Sequence, residues 1–248
     1  MIRPGSIRGP QAMRQGSAAC ALPARAGACL LVVNPNTDGG ITAALRLAAH
    51  AAAPAGLRAV VLNPETGPRA IESAADRRAA AAAVLALLRR RPHDGYDGYV
   101  MACFDDIAVA EARAQTARPV FSLAQAAIEA AVARGLAFTV VTTVTQAVAG
   151  IRDLLERYGA AGLGTVRATG VGVGPSAART PLAEARLHGA IEDARRHDGA
   201  RQIVLGSGAY TGRAGELARR YGLPVEDGIG PALRRAAGLP IEAAARPA

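Results

Sequence analysis

The sequence contains no lysine, and all 29 basic residues of the 248-residue chain are arginine. Pyridoxal-phosphate enzymes and class I aldolases need a lysine amine for a Schiff base, and a P-loop needs a lysine on the nucleotide phosphates. The chain cannot supply any of these chemistries on its own. Tryptophan is absent and aromatic residues make up only 3%. The hydrophobic core must therefore be built from alanine, valine, leucine and isoleucine.

Disulfide and metal-binding patterns are also missing. The cysteines are Cys20, Cys29 and Cys103, a sparse and odd set that does not form a disulfide framework, and no CxxC or HxxxH motif occurs. We therefore expect no metal site. The histidines are expected on exposed helices or loops; they are His50, His93, His188 and His197.

The net charge of +9 is unevenly distributed. Residues 1–28 contain four arginines and no acidic residue, and they are predicted to be a disordered extension; a targeting peptide or a nucleic-acid-binding arm are the alternatives. No apolar h-region precedes a cleavage site, which argues against secretion. No apolar run approaches the roughly 18–20 residues of a membrane span. We therefore expect a soluble, cytoplasmic protein with no membrane or nucleic-acid partner.

Short apolar segments alternate with alanine-rich amphipathic segments from Cys29 onward. The first kind predicts buried strands and the second predicts helices, and the alternation is typical of parallel sheets covered by helices. The predicted strands are 29–34, 58–63, 98–103, 118–121, 137–143, 166–173, 202–207 and 223–227. The predicted helices are 41–53, 70–91, 106–116, 123–134, 145–158, 181–198, 212–221 and 229–237.

The second half of the sequence repeats the first. Residues 99–113 align with 203–219, and Pro119 aligns with Pro224. We predict an α/β fold of two similar, Rossmann-like parallel-sheet halves related by pseudo-two-fold symmetry. The active site is expected in the cleft between them, because ligands bind beyond the carboxyl ends of parallel strands. The predicted division is an extension over 1–28, a first half of 29–118 plus 222–240, a second half of 119–221, and a tail over 241–248.

Two reactive side chains occupy equivalent strand ends in this repeat, Cys103 in the first half and Ser207 in the second. A helix beginning at residue 106 would place the Cys103 sulfur near a helix N-terminus, where free N–H groups favour a thiolate. Most free cysteines are small buried hydrophobes, and we expect that role for Cys29, at the strand end away from the cleft. The position of Cys103 favours an acid–base role.

Seven motifs follow one another across residues 29–240: NPNT (34–37), GPRAIES (67–73), ACFDD (102–106), RPVF with an alanine-rich helix (118–132), FTVVTT (138–143), LGSGA (205–209) and LPVEDG (223–228). In this order and spacing they resemble the aspartate/glutamate/hydantoin racemase superfamily. The NPNT and ACFD turns make the hydantoin and allantoin racemase branch the nearer resemblance.

The resemblance implies cofactor-independent racemisation by two cysteines. One thiolate removes the proton next to a substrate carbonyl and a second thiol protonates the opposite face, since a thiol with an ordinary pKa of about 8.5 can be tuned to act near neutral pH. Cys103 would be the first of these groups. The substrate is expected to be a small molecule with a carbonyl or carboxylate, and the protein a homo-oligomer. The residues expected to bind the substrate are Asn34, Thr37, Phe104, Asp105, Thr142, Thr143, Gly206, Gly208 and Ala209.

The sequence departs from the family pattern at the second cysteine. The family has Leu-Gly-Cys-Ala-Gly where this chain has Leu-Gly-Ser-Gly-Ala, so that Ser207 stands at the second catalytic position. A serine hydroxyl is a far weaker acid than a thiol, and no histidine or lysine lies near it in sequence. A second departure is Ser122-Leu123, where the family has glycine followed by an aliphatic residue.

Three functions therefore stay open. The first is a racemase or epimerase in which Ser207 relays a proton, with impaired or one-sided activity. The second is a single-cysteine decarboxylase or isomerase on the same scaffold. The third is a non-catalytic homologue that binds a small anion.

Overall fold

The structure, a computed structural model, describes residues 27–90 and 95–241. Cys20, His93, the predicted extension up to residue 26 and the predicted tail from residue 242 lie outside the described residues. Two four-stranded parallel sheets form the framework. The first has the order β2-β1-β3-β4, with β1 Ala28–Val33, β2 Leu57–Leu62, β3 Gly98–Met101 and β4 Val120–Ser122. The second has the order β6-β5-β7-β8, with β5 Phe138–Thr142, β6 Gly164–Ala168, β7 Gln202–Leu205 and β8 Val225–Glu226.

Helices connect these strands and cover the sheets. Two short 3₁₀ segments, Thr145–Ala147 and Gly208–Tyr210, follow β5 and β7. The α-helices of the described chain are α1 Gly39–Ala52, α2 Ala74–Arg90, α3 Val109–Gln115, α4 Leu123–Ala133, α5 Val148–Arg157, α6 Val173–Ala177, α7 Pro181–His197, α8 Ala214–Tyr221 and α9 Ile229–Ala236.

The strand order of the second sheet repeats that of the first, which confirms the predicted α/β fold with two similar halves. The predicted boundaries between the halves differ from the strand pairing at two points. β4 was expected in the second half, but it pairs with β3 of the first sheet. β8 was expected in the first half, but it pairs with β7 of the second sheet. Each of these strands is the last strand of the sheet whose other strands precede it in the chain. The chain therefore crosses to the other half in the helix that follows the strand.

Helices α4 and α9 make this exchange. α4 follows β4 of the first sheet and packs against β7 and β8 of the second. α9 follows β8 of the second sheet and packs against α1, β3 and β4 of the first. The two helices also pack against each other. The contact between α4 and α9 therefore joins the two halves of the molecule.

Alanine and glycine let the two helices approach closely. Five alanines of α4 are fully buried. At the start of α9, Gly228 has a φ of +84°, and a Cβ there would lie 2.8 Å from the carbonyl oxygen of Leu123. Only glycine fits a left-handed backbone at that separation. The contact between the two helices thus relies on small residues, and the buried core as a whole is built mainly from alanine, valine, leucine and isoleucine, as predicted.

The described residues include no helix that is both long and apolar enough to cross a membrane. Within the same residues, no group of three or more histidine, cysteine, aspartate or glutamate side chains is arranged to hold a metal ion. Three of the four histidines are described. His50 and His197 are exposed, as expected. His188 differs because it is half-buried, with Nδ1 2.6 Å from the Tyr221 hydroxyl.

Candidate active site

One cavity lies at the carboxyl ends of β1, β3, β5 and β7. It is narrow: the space open to the centre of a water molecule is about 40 Å³, a few times the roughly 10–15 Å³ that one water needs. Such a space suits a compact small molecule. Ten of the eleven predicted site residues line it: Asn34, Cys103, Phe104, Asp105, Thr142, Thr143, Gly206, Ser207, Gly208 and Ala209.

Thr37 is the predicted residue that does not line this cavity. Its backbone N–H donates to the carbonyl of Pro68 at 3.0 Å, so it holds the loop that follows β2. The prediction also missed seven lining residues. Sequence neighbours of predicted residues are Pro35, Asn36, Ala102 and Val144, whereas only the folded chain brings in Ile71, Ala147 and Val173.

In the turn after β1, Asn34 and Asn36 have different roles. Asn34 is buried, and its amide nitrogen donates to the side-chain oxygen of Asn36 at 2.9 Å and to the Thr42 hydroxyl at 3.0 Å. Both of its amide hydrogens are therefore used within the protein. The Asn36 amide nitrogen makes no hydrogen bond among the described residues, although Asn36 lines the cavity. Asn36, which the prediction passed over, is thus the better placed donor for a substrate carbonyl.

The loop after β3 holds Cys103 as a thiol. The prediction that a helix N-terminus favours its thiolate is wrong, because α3 begins only at Val109. Asp106 and Ala108 have left-handed backbone angles, with φ of 51° and 59°, which keep the chain out of the helix until that point. Burial in the cleft, and next the negative charge of Asp105, raise the pKa of Cys103 well above its ordinary value.

Asp105 contacts this thiol in two ways. Its backbone N–H hydrogen-bonds the Cys103 sulfur, which partly offsets the rise in the thiol's pKa. Its carboxylate accepts a hydrogen bond from Arg77 Nε at 2.9 Å. Burial raises the pKa of the Asp105 carboxyl, and Arg77 opposes that rise. Asp105 was predicted to bind substrate. Its carboxylate is already paired with Arg77 of α2, so that pairing competes with any contact to a substrate.

The next residue, Asp106, anchors the same loop to both halves. Its carboxylate accepts short hydrogen bonds from the Ser122 hydroxyl and from the Tyr158 hydroxyl at the end of α5. Burial, and next the hydrogen bond to Asp106, raise the pKa of Tyr158 to about 12. The Ser122 hydroxyl also caps α4 by accepting from the backbone N–H of Gln125 at 2.9 Å. The departure at position 122 thus supports the Cys103 loop from outside the cavity.

Ser207 lies in the equivalent turn of the second half. Its hydroxyl oxygen accepts from the backbone N–H of Ala209 at 3.3 Å. The preceding Gly206 leaves no room for a side chain, because a Cβ there would lie 2.4 Å from Cγ1 of Val140. Thr142 fixes this turn, since its hydroxyl donates to the Gly206 carbonyl at 3.0 Å. No described histidine lines the cavity, so Ser207 has no neighbouring base of that type.

The backbone offers donors on both sides of the cavity. The N–H groups of Phe104 and Gly208 make no hydrogen bond within the described chain, so both are available to a substrate oxygen. The N–H of Ala209 is occupied by Ser207. One free N–H group from each half therefore meets at the cavity that holds the Cys103 thiol.

Known proteins resemble this chain over most of its length. The family described as Asp/Glu/Hydantoin racemase matches residues 30–236. The chain belongs to this family. Hydantoin racemase of Rhizobium meliloti is 34% identical over 209 residues, covering 84% of this chain and 87% of the relative.

Two solved structures of allantoin racemases are also similar to this family member. That from Klebsiella pneumoniae has a TM-score of 0.78 and 31% identity, covering 87% of this chain and 90% of its own. That from Pseudomonas fluorescens has a TM-score of 0.77 and 30% identity, covering 89% and 98%. These relatives are named hydantoin or allantoin racemases, so the cavity is interpreted by comparison with that branch of the family.

Proposed function

We propose that this racemase-family member transfers protons at the carbon next to a carbonyl in 5-substituted hydantoins, allantoin or related amino-acid derivatives, and so racemises them. One observation carries the proposal: a single cavity joins Cys103 and Ser207, which stand in equivalent strand-end turns of two repeated halves. Groups from opposite halves can reach opposite faces of one carbon, which is what inversion requires. The names of the related proteins supply the substrate class.

Cys103 is the acid–base group of the first face. In the base direction, the carbon–hydrogen bond breaks, the proton goes to the sulfur, and the electron pair moves onto the carbonyl oxygen to give an enolate. Because the pKa of Cys103 is raised, most of the enzyme carries the thiol and only a small fraction carries the thiolate. Turnover should therefore increase with pH across the neutral and mildly alkaline range, in which the thiolate fraction grows.

The enolate oxygen needs hydrogen-bond donors that are already in place. The candidates are the free N–H groups of Phe104 and Gly208 and the amide of Asn36. Each belongs to a turn that side-chain hydrogen bonds support. Protonation from the opposite face falls to the Ser207 hydroxyl, which gives its proton to the carbon and takes one from a water molecule. The hydroxide left behind then takes the proton from the Cys103 thiol through solvent, which restores the thiolate. We expect protonation by Ser207 to be the slower step.

Proton exchange and loss of optical activity separate the possible outcomes. 5-Methylhydantoin and allantoin, each as one enantiomer, are incubated in D₂O with the protein. Deuterium incorporation is followed by NMR and enantiomeric purity by chiral chromatography. Cys103→Ala should reduce both rates to those of the buffer. Ser207→Cys should accelerate the loss of optical purity. Cys29→Ala, which removes the buried thiol at the other end of β1, is the matched control and should change neither rate.

Two results would change the conclusion. Deuterium incorporation with retained optical purity would mean that only the Cys103 face exchanges, which favours the single-cysteine alternative. Exchange by Cys103→Ala at the parent rate would remove Cys103 from the mechanism.

We also propose that the protein acts in the cytoplasm as a homo-oligomer, as the family resemblance suggests. Light scattering coupled to size-exclusion chromatography measures the assembly: a mass of one chain at micromolar concentration contradicts this part of the proposal.

A further inference from the structure

The loop between β2 and α2, residues 63–73, is fixed at several points to the first half. Near its middle, the carbonyl of Pro68 accepts from the N–H of Thr37 at 3.0 Å. At its end, the Asp76 carboxylate accepts from the N–H groups of Glu72 at 3.1 Å and Ser73 at 2.9 Å. These hydrogen bonds attach the backbone of the loop to the first half.

The side chain of Glu72 leaves the first half and contacts the second. Its Oε1 accepts a hydrogen bond of 2.6 Å from the backbone N–H of Val173, the first residue of α6. A Cβ on the neighbouring Gly172 would lie 2.9 Å from the same oxygen, so glycine leaves the carboxylate room to reach Val173. This is a charge-assisted bond across the cleft, of the stronger kind.

The bond lies directly beside the cavity. Ile71 precedes Glu72, and both Ile71 and Val173 line the cavity from opposite halves. The bond therefore joins the two segments that carry Ile71 and Val173 to the cavity that also holds Cys103. None of the acid–base steps uses Glu72, and it does not line the cavity itself.

We propose that Glu72 is a positioning residue that holds the cleft closed, and that the Ile71–Val173 pair which it brings together limits the size of the substituent on the reacting carbon. The first statement stands on the geometry alone, and the second rests on the proposed function. If closure is needed to bind substrate, loss of the bond lowers the population of the binding-competent state, so KM increases while kcat changes little.

Three variants separate the bond from general effects on the loop. Glu72→Ala removes the carboxylate. Gly172→Ala places a methyl group where the carboxylate lies, and the φ of −60° at Gly172 suits alanine. Glu65→Ala is the matched control, because Glu65 lies in the same loop and its exposed carboxylate pairs only loosely with Arg90, at 3.9 Å.

Alkylation of Cys103 tests closure without any substrate. The full-length variants are treated with iodoacetamide at one pH, and modification of the Cys103 peptide is followed by mass spectrometry. Glu72→Ala and Gly172→Ala should each react about tenfold faster than the parent protein, as expected from losing one hydrogen bond to a charged group, and Glu65→Ala should react at the parent rate. Parent-like rates in both cleft variants would overturn the proposal that Glu72 closes the cleft. Should Glu72→Ala fail to show a cooperative thermal transition, Gly172→Ala decides.

Kinetics test the substituent limit. With 5-methylhydantoin, the two cleft variants should show KM raised about tenfold and kcat within about twofold of the parent. The ratio of kcat/KM for 5-benzylhydantoin over 5-methylhydantoin should increase in both. An unchanged ratio would refute the size limit. If the parent protein turns over neither hydantoin, the proposed function fails, and the alkylation rates still decide whether Glu72 closes the cleft.

Discussion

Replacing Asp105 by asparagine should lower the pKa of the Cys103 thiol. The negative charge of Asp105 is, after burial, the largest cause of the raised pKa. Asparagine has nearly the same shape and keeps the backbone N–H that donates to the sulfur, so the variant changes mainly charge. It also releases Arg77, whose positive charge acts in the same direction on the thiol.

The size of the effect follows from Coulomb's law. Two unit charges about 5 Å apart at an effective dielectric constant of about 20 interact by about 3 kcal/mol. Arg77, 2.9 Å from the carboxylate, keeps its charge in the variant, so the whole of this repulsion is removed. This corresponds to a fall of about two pKa units, since one unit equals about 1.4 kcal/mol. Below the pKa, this makes the thiolate about a hundred times more abundant at a given pH.

The rate of Cys103 alkylation at a fixed, mildly alkaline pH reports the thiolate fraction. Asp105→Asn should react about a hundredfold faster than the parent, and Arg77→Leu should react more slowly, because it leaves the Asp105 charge unopposed. The Cys29 peptide provides an internal control. A parent-like or slower rate in Asp105→Asn would refute the electrostatic account of the Cys103 environment.

Three stability predictions are checked by urea denaturation. Gly206→Ala should cost about 1–3 kcal/mol by overpacking against Val140, and a cost below about 0.5 kcal/mol would mean that the turn yields easily. Arg134→Leu should cost about 3–5 kcal/mol, because it leaves the buried Glu226 carboxylate without its cation; a stable variant would show that Glu226 is neutral. Ser122→Ala should cost about 1–2 kcal/mol by removing the cap of α4, and Ser122→Thr should restore part of it.

Strand ends and the internal repeat were predictable from the sequence, for a physical reason. Parallel strands buried on both faces are continuous apolar runs, so β1, β5 and β7 stand out. Residues directly after such runs must gather at one edge of a sheet. That geometry places Cys103 at the edge of the first sheet and Ser207 at the equivalent edge of the second, and the repeat predicts that the two edges face one cleft. Nothing in the local sequence indicates which residues approach from elsewhere.

The conformation of the Cys103 loop could not be predicted in the same way. The left-handed backbone at Ala108 has no sequence signal, since alanine rarely adopts it. The same loop is held at Asp106 by hydrogen bonds from Ser122 and Tyr158, which are distant in sequence. The helix therefore starts late, and the environment of the thiol becomes the opposite of the one expected. Electrostatics at a site depend on such long-range contacts more than on local motifs.

The exchange of α4 and α9 has a consequence for folding. Each half receives the helix that covers it from the other half's last strand, so neither segment of the chain can bury its own sheet alone. The first 137 residues expressed separately would expose the face that α9 covers, and the remaining residues would expose the face that α4 covers. We expect both fragments to be insoluble, and the whole chain to unfold in a single transition despite having two sheets. The molecule thus has two repeated sheets but is expected to unfold as one cooperative unit.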